Sequence, residues 1–108
     1  MGYVYLLANF DEDKIYKIGV TRGSIEKRIK KLQTGNHGEI ILVSKYETDI
    51  PFFIEKWLHF KLIKNKIRNE WFELDDEYVL SFKEKCKEIE EMYNEMETNP
   101  FFNKKIKM

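Results

Sequence analysis

Residues 2–32 constrain the fold of this chain more than any other stretch. They read GYVYLLANFDEDKIYKIGVTRGSIEKRIKKL: a β-prone run, an acidic turn, a second β-prone run and a basic helical segment. Alternation along the first run puts Tyr3, Tyr5 and Leu7 on one face and Val4 and Leu6 on the other. Residues 9–14 form a polar turn, and Ile15 to Val20 resumes strand character, which predicts a hairpin. In the second run Ile15, Lys17 and Gly19 share a face. A lysine inside an apolar strand is the anomaly here, and taken alone it reads as a solvent-facing side chain. Ser24 suits a helix N-cap, with Glu26 in the first turn. Ile25, Ile29 and Leu32 then give that helix an apolar stripe, and Gly35 marks its end. Arg28 adjoins the stripe and can reach the hairpin, while Lys27, Lys30 and Lys31 face water or a partner.

Glu39 to Tyr46 is a third β-prone run. Pro51 suits the first turn of a second helix, expected to about Lys64, with Ile54, Trp57, Leu58 and Leu62 as its buried stripe. Glu55 and His59, four residues apart, share a face beside that stripe. Residues 65–70 read as a polar connection, and Trp71, Phe72 and Leu74 as a strand edge or a plug on the core. From Asp75 to about Met96 the pattern is helical. Its seam of Phe82, Cys86, Ile89, Tyr93 and Met96 spans barely two heptads, so it is expected to dock on its own domain rather than form a coiled coil. The expected fold is α+β: a small three-stranded antiparallel sheet flanked by helices, with an added C-terminal helix. Residues 1–74 would be the core and 75–98 an amphipathic helix packed on it. Residues 99–108 would be a short tail that frays unless Phe101 and Phe102 dock.

The chain has 108 residues, 43% hydrophobic and 15% aromatic, enough for one domain with its own core. Cys86 is the single cysteine, which excludes an internal disulfide and a thiolate metal cluster and points to a reducing, cytoplasmic setting. No signal-peptide pattern and no apolar run of membrane-spanning length is present, so no membrane association is expected. The formal net charge is zero. Residues 1–72 nevertheless carry 13 Lys/Arg against 9 Asp/Glu, and residues 73–108 carry 6 against 10. Arg22, Lys27, Arg28, Lys30 and Lys31 fall within ten residues and are opposed only by Glu26. Such a local basic face fits nucleic acid, although a solvated helix face is as common for a run of this kind.

Several familiar sites are missing: a phosphate-cradling glycine loop, Cys/His metal spacing and a nucleophile elbow. What remains is a set of Tyr, Lys, Arg and Glu residues on adjacent elements. Hydrolysis of a phosphodiester needs a base for water and positive charge for the phosphorane. A phenol, with a pKa of about 10, becomes a useful base only beside a cation that favours the phenolate. Tyr5 and Lys17 on neighbouring strands are expected to form that pair. Arg28 offers a fixed fork for phosphate oxygens. Glu55 can hold one Mg²⁺ together with waters and the phosphate.

Tyr3-Val4-Tyr5, then Lys17-Ile18-Gly19, then Arg28 in the following helix resemble the GIY-YIG nuclease superfamily. The wording YVYLLAN, YKIGVT, IEKWLH and NEWFEL is most similar to a branch common in phages, bacteria and large DNA viruses. The resemblance covers roughly residues 2–74 and implies a three-stranded antiparallel sheet flanked by helices that cuts DNA with one Mg²⁺ or Mn²⁺. It implies Tyr5 as general base or its activator, Gly19 as a position where a side chain would block the substrate, Arg28 as the phosphate contact and Glu55 as the metal ligand. Asn69 matches a later asparagine of the family. Lys17 stands where the family usually has its second tyrosine. His59, sharing a face with Glu55, and secondarily His37, are candidates for assisting the leaving group. Tyr3, Arg22, Lys27 and Lys31 are candidates for substrate contact.

The leading expectation is therefore a metal-dependent DNA endonuclease. The alternatives are a nucleic-acid-binding module of the same fold with little catalysis, and a protein-interaction domain using Trp57, Trp71 and the C-terminal helix. With room for little beyond a catalytic core, target choice is expected to come from a homodimer or a protein partner.

Overall fold

The computed structural model describes residues 1–98, and β1 (Gly2–Asn9) and β2 (Ile15–Thr21) form the expected hairpin in it. Their antiparallel register sets Tyr5 opposite Gly19 and Leu7 opposite Lys17. Tyr5 and Lys17 are therefore diagonal neighbours rather than a facing pair. β3 (Ile40–Thr48) runs antiparallel along the other side of β1, with a bulge opposite the step from Leu6 to Leu7. The sheet has five strands in the order β3-β1-β2-β5-β4, not three. The two additions are β4 (Lys66–Arg68) and β5 (Trp71–Glu73), each only three residues long. At that length a strand leaves no alternation to read, and β4 falls in what reads as a polar connection.

The sheet separates two apolar clusters. Val4, Leu6, Ile18 and Phe72 pack with Ile54 and Leu58 of α2 (Pro51–Lys61) and with Phe82, Cys86 and Ile89 of α4 (Phe82–Thr98). On the opposite face Tyr5, Leu7 and Ile40 pack against Ile29 and Leu32 of α1 (Ile25–Thr34). The period-two pattern of β1 thus feeds both layers, and a one-residue slip would exchange them. Ser24 caps α1, its hydroxyl oxygen accepting from the Lys27 amide at 3.3 Å.

Two helix boundaries differ from expectation. α2 stops at Lys61, and a 3₁₀ turn over Ile63–Asn65 follows. Asn65 then donates its side-chain amide to the Glu73 carbonyl at 3.0 Å, fixing the approach to β4. The C-terminal helical segment is broken at Ser81 into α3 (Asp76–Leu80) and α4. Asp75 caps α3 by accepting from the Tyr78 amide at 2.8 Å, and the Ser81 hydroxyl bonds back to the Tyr78 carbonyl at 3.1 Å. Beyond the break Phe82, Cys86 and Ile89 of α4 are buried. Glu90 ties α4 to β3, accepting from the Tyr46 and Thr48 hydroxyls at 2.5 Å each. The proposed tail over 99–108 lies outside the described residues. Among the described residues no helix is long and apolar enough to cross a membrane.

Candidate active-site cleft

Because Gly19 has no side chain, the Tyr5 ring lies flat across it: an added Cβ there would sit 2.5 Å from the Tyr5 hydroxyl oxygen. The space the sequence reserves at Gly19 is taken by Tyr5 itself and not by a substrate. The ring is 1% exposed, and its hydroxyl points to α1, where Arg28 Nε donates to it at 3.2 Å. Burial raises the Tyr5 phenol above its ordinary value. The Arg28 hydrogen bond and charge pull it partly back, while the Glu70 and Glu55 carboxylates push it up again. The bond to Tyr5 in turn holds the Arg28 guanidinium more firmly charged.

Lys17 has a different partner from the one expected. It is 9% exposed, and its ammonium pairs with Glu70 at 2.9 Å and lies 5.7 Å from the Trp71 ring centre. The cation beside the Tyr5 hydroxyl is Arg28. A cation this well buried needs a counter-charge, and Glu70 supplies it. Periodicity offered no hint of Glu70, which stands in a polar stretch after Asn69. The one available signal was Lys17, since a lysine on a buried strand face implies an acid nearby. Asn69 itself is exposed, with a left-handed φ of 44°. It turns β4 back into β5, a conformation asparagine tolerates better than most residues. That turn presents Glu70, whose carbonyl accepts from the Ile18 amide at 3.2 Å. Asn69 thus positions a carboxylate by its backbone.

Glu55 and Glu70 line one cleft of about 400 Å³ with Arg28, Thr21, Val20 and Phe52. Desolvation raises the Glu55 carboxyl above its ordinary range; His59 opposes this, Glu70 adds to it, and Lys17 and Arg28 oppose it. His59 shares the Glu55 face of α2 as expected, but its Nε2 is 2.9 Å from the Ile18 carbonyl and its ring meets Phe72 edge-on. With Nε2–H donating to that carbonyl, His59 is a fixed neighbour of Glu55 rather than a free proton donor. Arg22 lies at the rim, its guanidinium 5.2 Å from the ring centre of Phe52.

The remaining sequence candidates spread outward. Tyr3 is half-buried under Lys45, and Lys27 is exposed on α1. Lys31 lines a second hollow with Lys17 and Arg28, and His37 lines a third with Asn9 and Arg68. His37 is not among the residues lining the Glu55 cleft. A separate apolar groove of about 430 Å³ on α2, between Phe53, Lys56, Trp57 and Phe60, shares no residue with the cleft and holds no acid or base besides Lys56.

Residues 2–97 match the T5orf172 domain. Neither the curated proteins nor the solved structures give a match to this chain. The matched span takes in the hairpin, α1, the Glu55 helix and the Glu70 turn, so the whole cleft falls inside it. The chain belongs to the T5orf172 domain family, a domain of nuclease-like phage and bacterial proteins.

Proposed function

We propose that this cleft hydrolyses phosphodiester bonds of DNA with one divalent cation, as the resemblance to GIY-YIG nucleases implies. The observation that carries the reading is Arg28, which donates to the Tyr5 hydroxyl and lines one cleft with Glu55. Among the described residues no group of three or more His, Cys, Asp or Glu is placed to hold a metal ion. Glu55, the cleft carboxylate not engaged by the Lys17 ion pair, fits Mg²⁺ or Mn²⁺, which keep several waters and bind through one or two carboxylates plus substrate phosphate. Glu55 is that ligand, and a cation held there supplies positive charge to a phosphate oxygen. Arg28 spends its Nε on Tyr5 and leaves both terminal nitrogens for phosphate oxygens, which matters most as charge develops on the phosphorane. Tyr5 accepts the proton of the attacking water, its phenolate favoured by Arg28 rather than by Lys17. Lys17 and Glu70 hold the opposite wall.

The test is cleavage of supercoiled plasmid with Mg²⁺ or Mn²⁺ beside a Glu55→Ala control. Cleavage abolished in the control supports the reading, and cleavage that persists defeats the metal assignment. The phenol of Tyr5 sits above its ordinary value, so a phenolate base predicts a rate that climbs with pH across the neutral range without a plateau. A flat profile would remove Tyr5 from the role of base. One observation favours a second reading, a nucleic-acid-binding module with little catalysis: a tyrosine 1% exposed scarcely meets water. Salt-sensitive retention of DNA without any cleavage would select it.

A further inference from the structure

Next to the Glu55 cleft, on the far side of Arg28, lies a hollow of about 370 Å³ lined by Lys17, Arg28, Lys31, Asn36 and Trp71. Its volume is in the range of small-ligand sites. Arg28 is common to both spaces and forms the partition between them. The two sides differ in sign: the cleft carries Glu55 and Glu70, whereas no acidic residue lines the hollow among the described residues. Lys17 already carries the Glu70 carboxylate, so the uncompensated charge rests on Lys31 and on the terminal nitrogens of Arg28. The last turn of α1 also ends here, and its carbonyls favour cations. The hollow therefore owes its positive sign to side chains, chiefly the exposed Lys31 in that last turn.

We infer that this hollow is a second phosphate subsite, which holds the phosphate one nucleotide away from the one at Arg28 and Glu55 on the same strand. Two spaces of opposite sign divided by a single arginine suit a diester on one side and its neighbouring phosphate on the other. The inference rests on the phosphodiester reading of the cleft and deepens it, because it makes the substrate a strand with at least two consecutive phosphates.

Titration calorimetry without divalent metal tests it. The ligands are a thymidine dinucleotide with one phosphodiester, the same molecule with a 5′-terminal phosphate, and the same with a 3′-terminal phosphate. One of the two added phosphates should tighten binding about tenfold, the size of one charge-assisted contact, and which one does so gives the strand direction. Lys31→Ala should erase that increment and Lys31→Arg restore it. Lys30→Ala, on the same helix but outside the hollow, should leave it intact. Equal affinity for the three ligands, an increment that survives Lys31→Ala, or no binding of any ligand would each overturn the inference. Inorganic phosphate binding as tightly as the phosphorylated dinucleotide would assign the hollow to a free anion and overturn it too. The full increment in a protein that cleaves no DNA would uphold the subsite while defeating the nuclease reading alone.

Discussion

A methyl group at Gly19 meets the hydroxyl, Cζ and Cε1 of Tyr5 at 2.5–2.7 Å, so Gly19→Ala must expel the ring or spread β1 from β2. Overpacking of this kind costs about 1–3 kcal/mol, and urea unfolding should read it as a lower midpoint, accompanied by loss of cleavage. A variant with wild-type stability and activity would show that the ring moves aside freely. Glu55 behaves differently. Its carboxyl is raised in the folded chain, so ionised Glu55 costs stability above its folded pKa, and the cost fades as pH falls through that value. Glu55→Gln should therefore stabilise the protein at neutral pH by about 0.5–2 kcal/mol, the usual size of a relieved functional strain. The gain should shrink towards acid pH, and only the wild type should gain thermal stability from Mg²⁺. Equal Mg²⁺ shifts in both proteins would exclude Glu55 as the ligand. Residue type and the family resemblance singled out Tyr5, Arg28 and Glu55 from sequence, and in the structure Arg28 bonds to Tyr5 and lines a cleft with Glu55; strand register was the argument for Lys17. It failed there, because a facing-strand argument ignores the diagonal offset and a counter-ion arriving from a later turn.

Elements were legible in proportion to their length. The hairpin, α1, β3 and α2 each carry several periods of an apolar pattern, with Ser24 and Pro51 marking two of the starts. β4 and β5 carry less than two periods each, and their pairing is set by Asn69 turning the backbone rather than by any side-chain rhythm. The break at Ser81 was illegible for another reason: helix-forming residues stand on both sides of it, and the packing of Phe82 just beyond it is not written in the local pattern. The placement of α4 depends on one polar contact as well as on that packing. Glu90→Ala would strip the acceptor from Tyr46 and from Thr48, which is 3% exposed, and should cost about 1–3 kcal/mol. Glu90→Gln keeps one acceptor oxygen and should cost less. Thermal unfolding of the two variants checks the order, and equal midpoints would mean that apolar packing alone seats the helix.

For the molecule as a whole, zero net charge conceals a segregation along the chain: residues 1–72 carry 13 Lys/Arg against 9 Asp/Glu, with Lys27, Arg28, Lys30 and Lys31 on α1, and residues 73–108 carry 6 against 10. Of the two hollows that share Arg28, the cleft lies between α1 and α2, lined by Arg28 from one and Phe52 and Glu55 from the other, and the second hollow is lined by the last turns of α1 with Lys17 and Trp71. Their outer wall, Glu70 and Trp71, comes from the turn between the two shortest strands and from the start of β5, at one end of the sheet order. β5 is joined to β2 over three residue pairs, and among the described residues β4 pairs as a strand only with β5, with one further tie from Arg68 to Glu12 in the β1–β2 turn at 2.6 Å. Short, exposed pairing of this kind opens at far lower free energy than a central strand. The wall can therefore breathe while β1 and β3 stay closed, and amide hydrogens of Ile67 and Arg68 should exchange well before those of Val4 and Leu6. A bound strand bridging Arg28 and Trp71 would join the loose margin to the rigid centre. Exchange at Ile67 and Arg68 should then slow with saturation, so that occupancy of the cleft is recorded as order gained at the rim of the sheet.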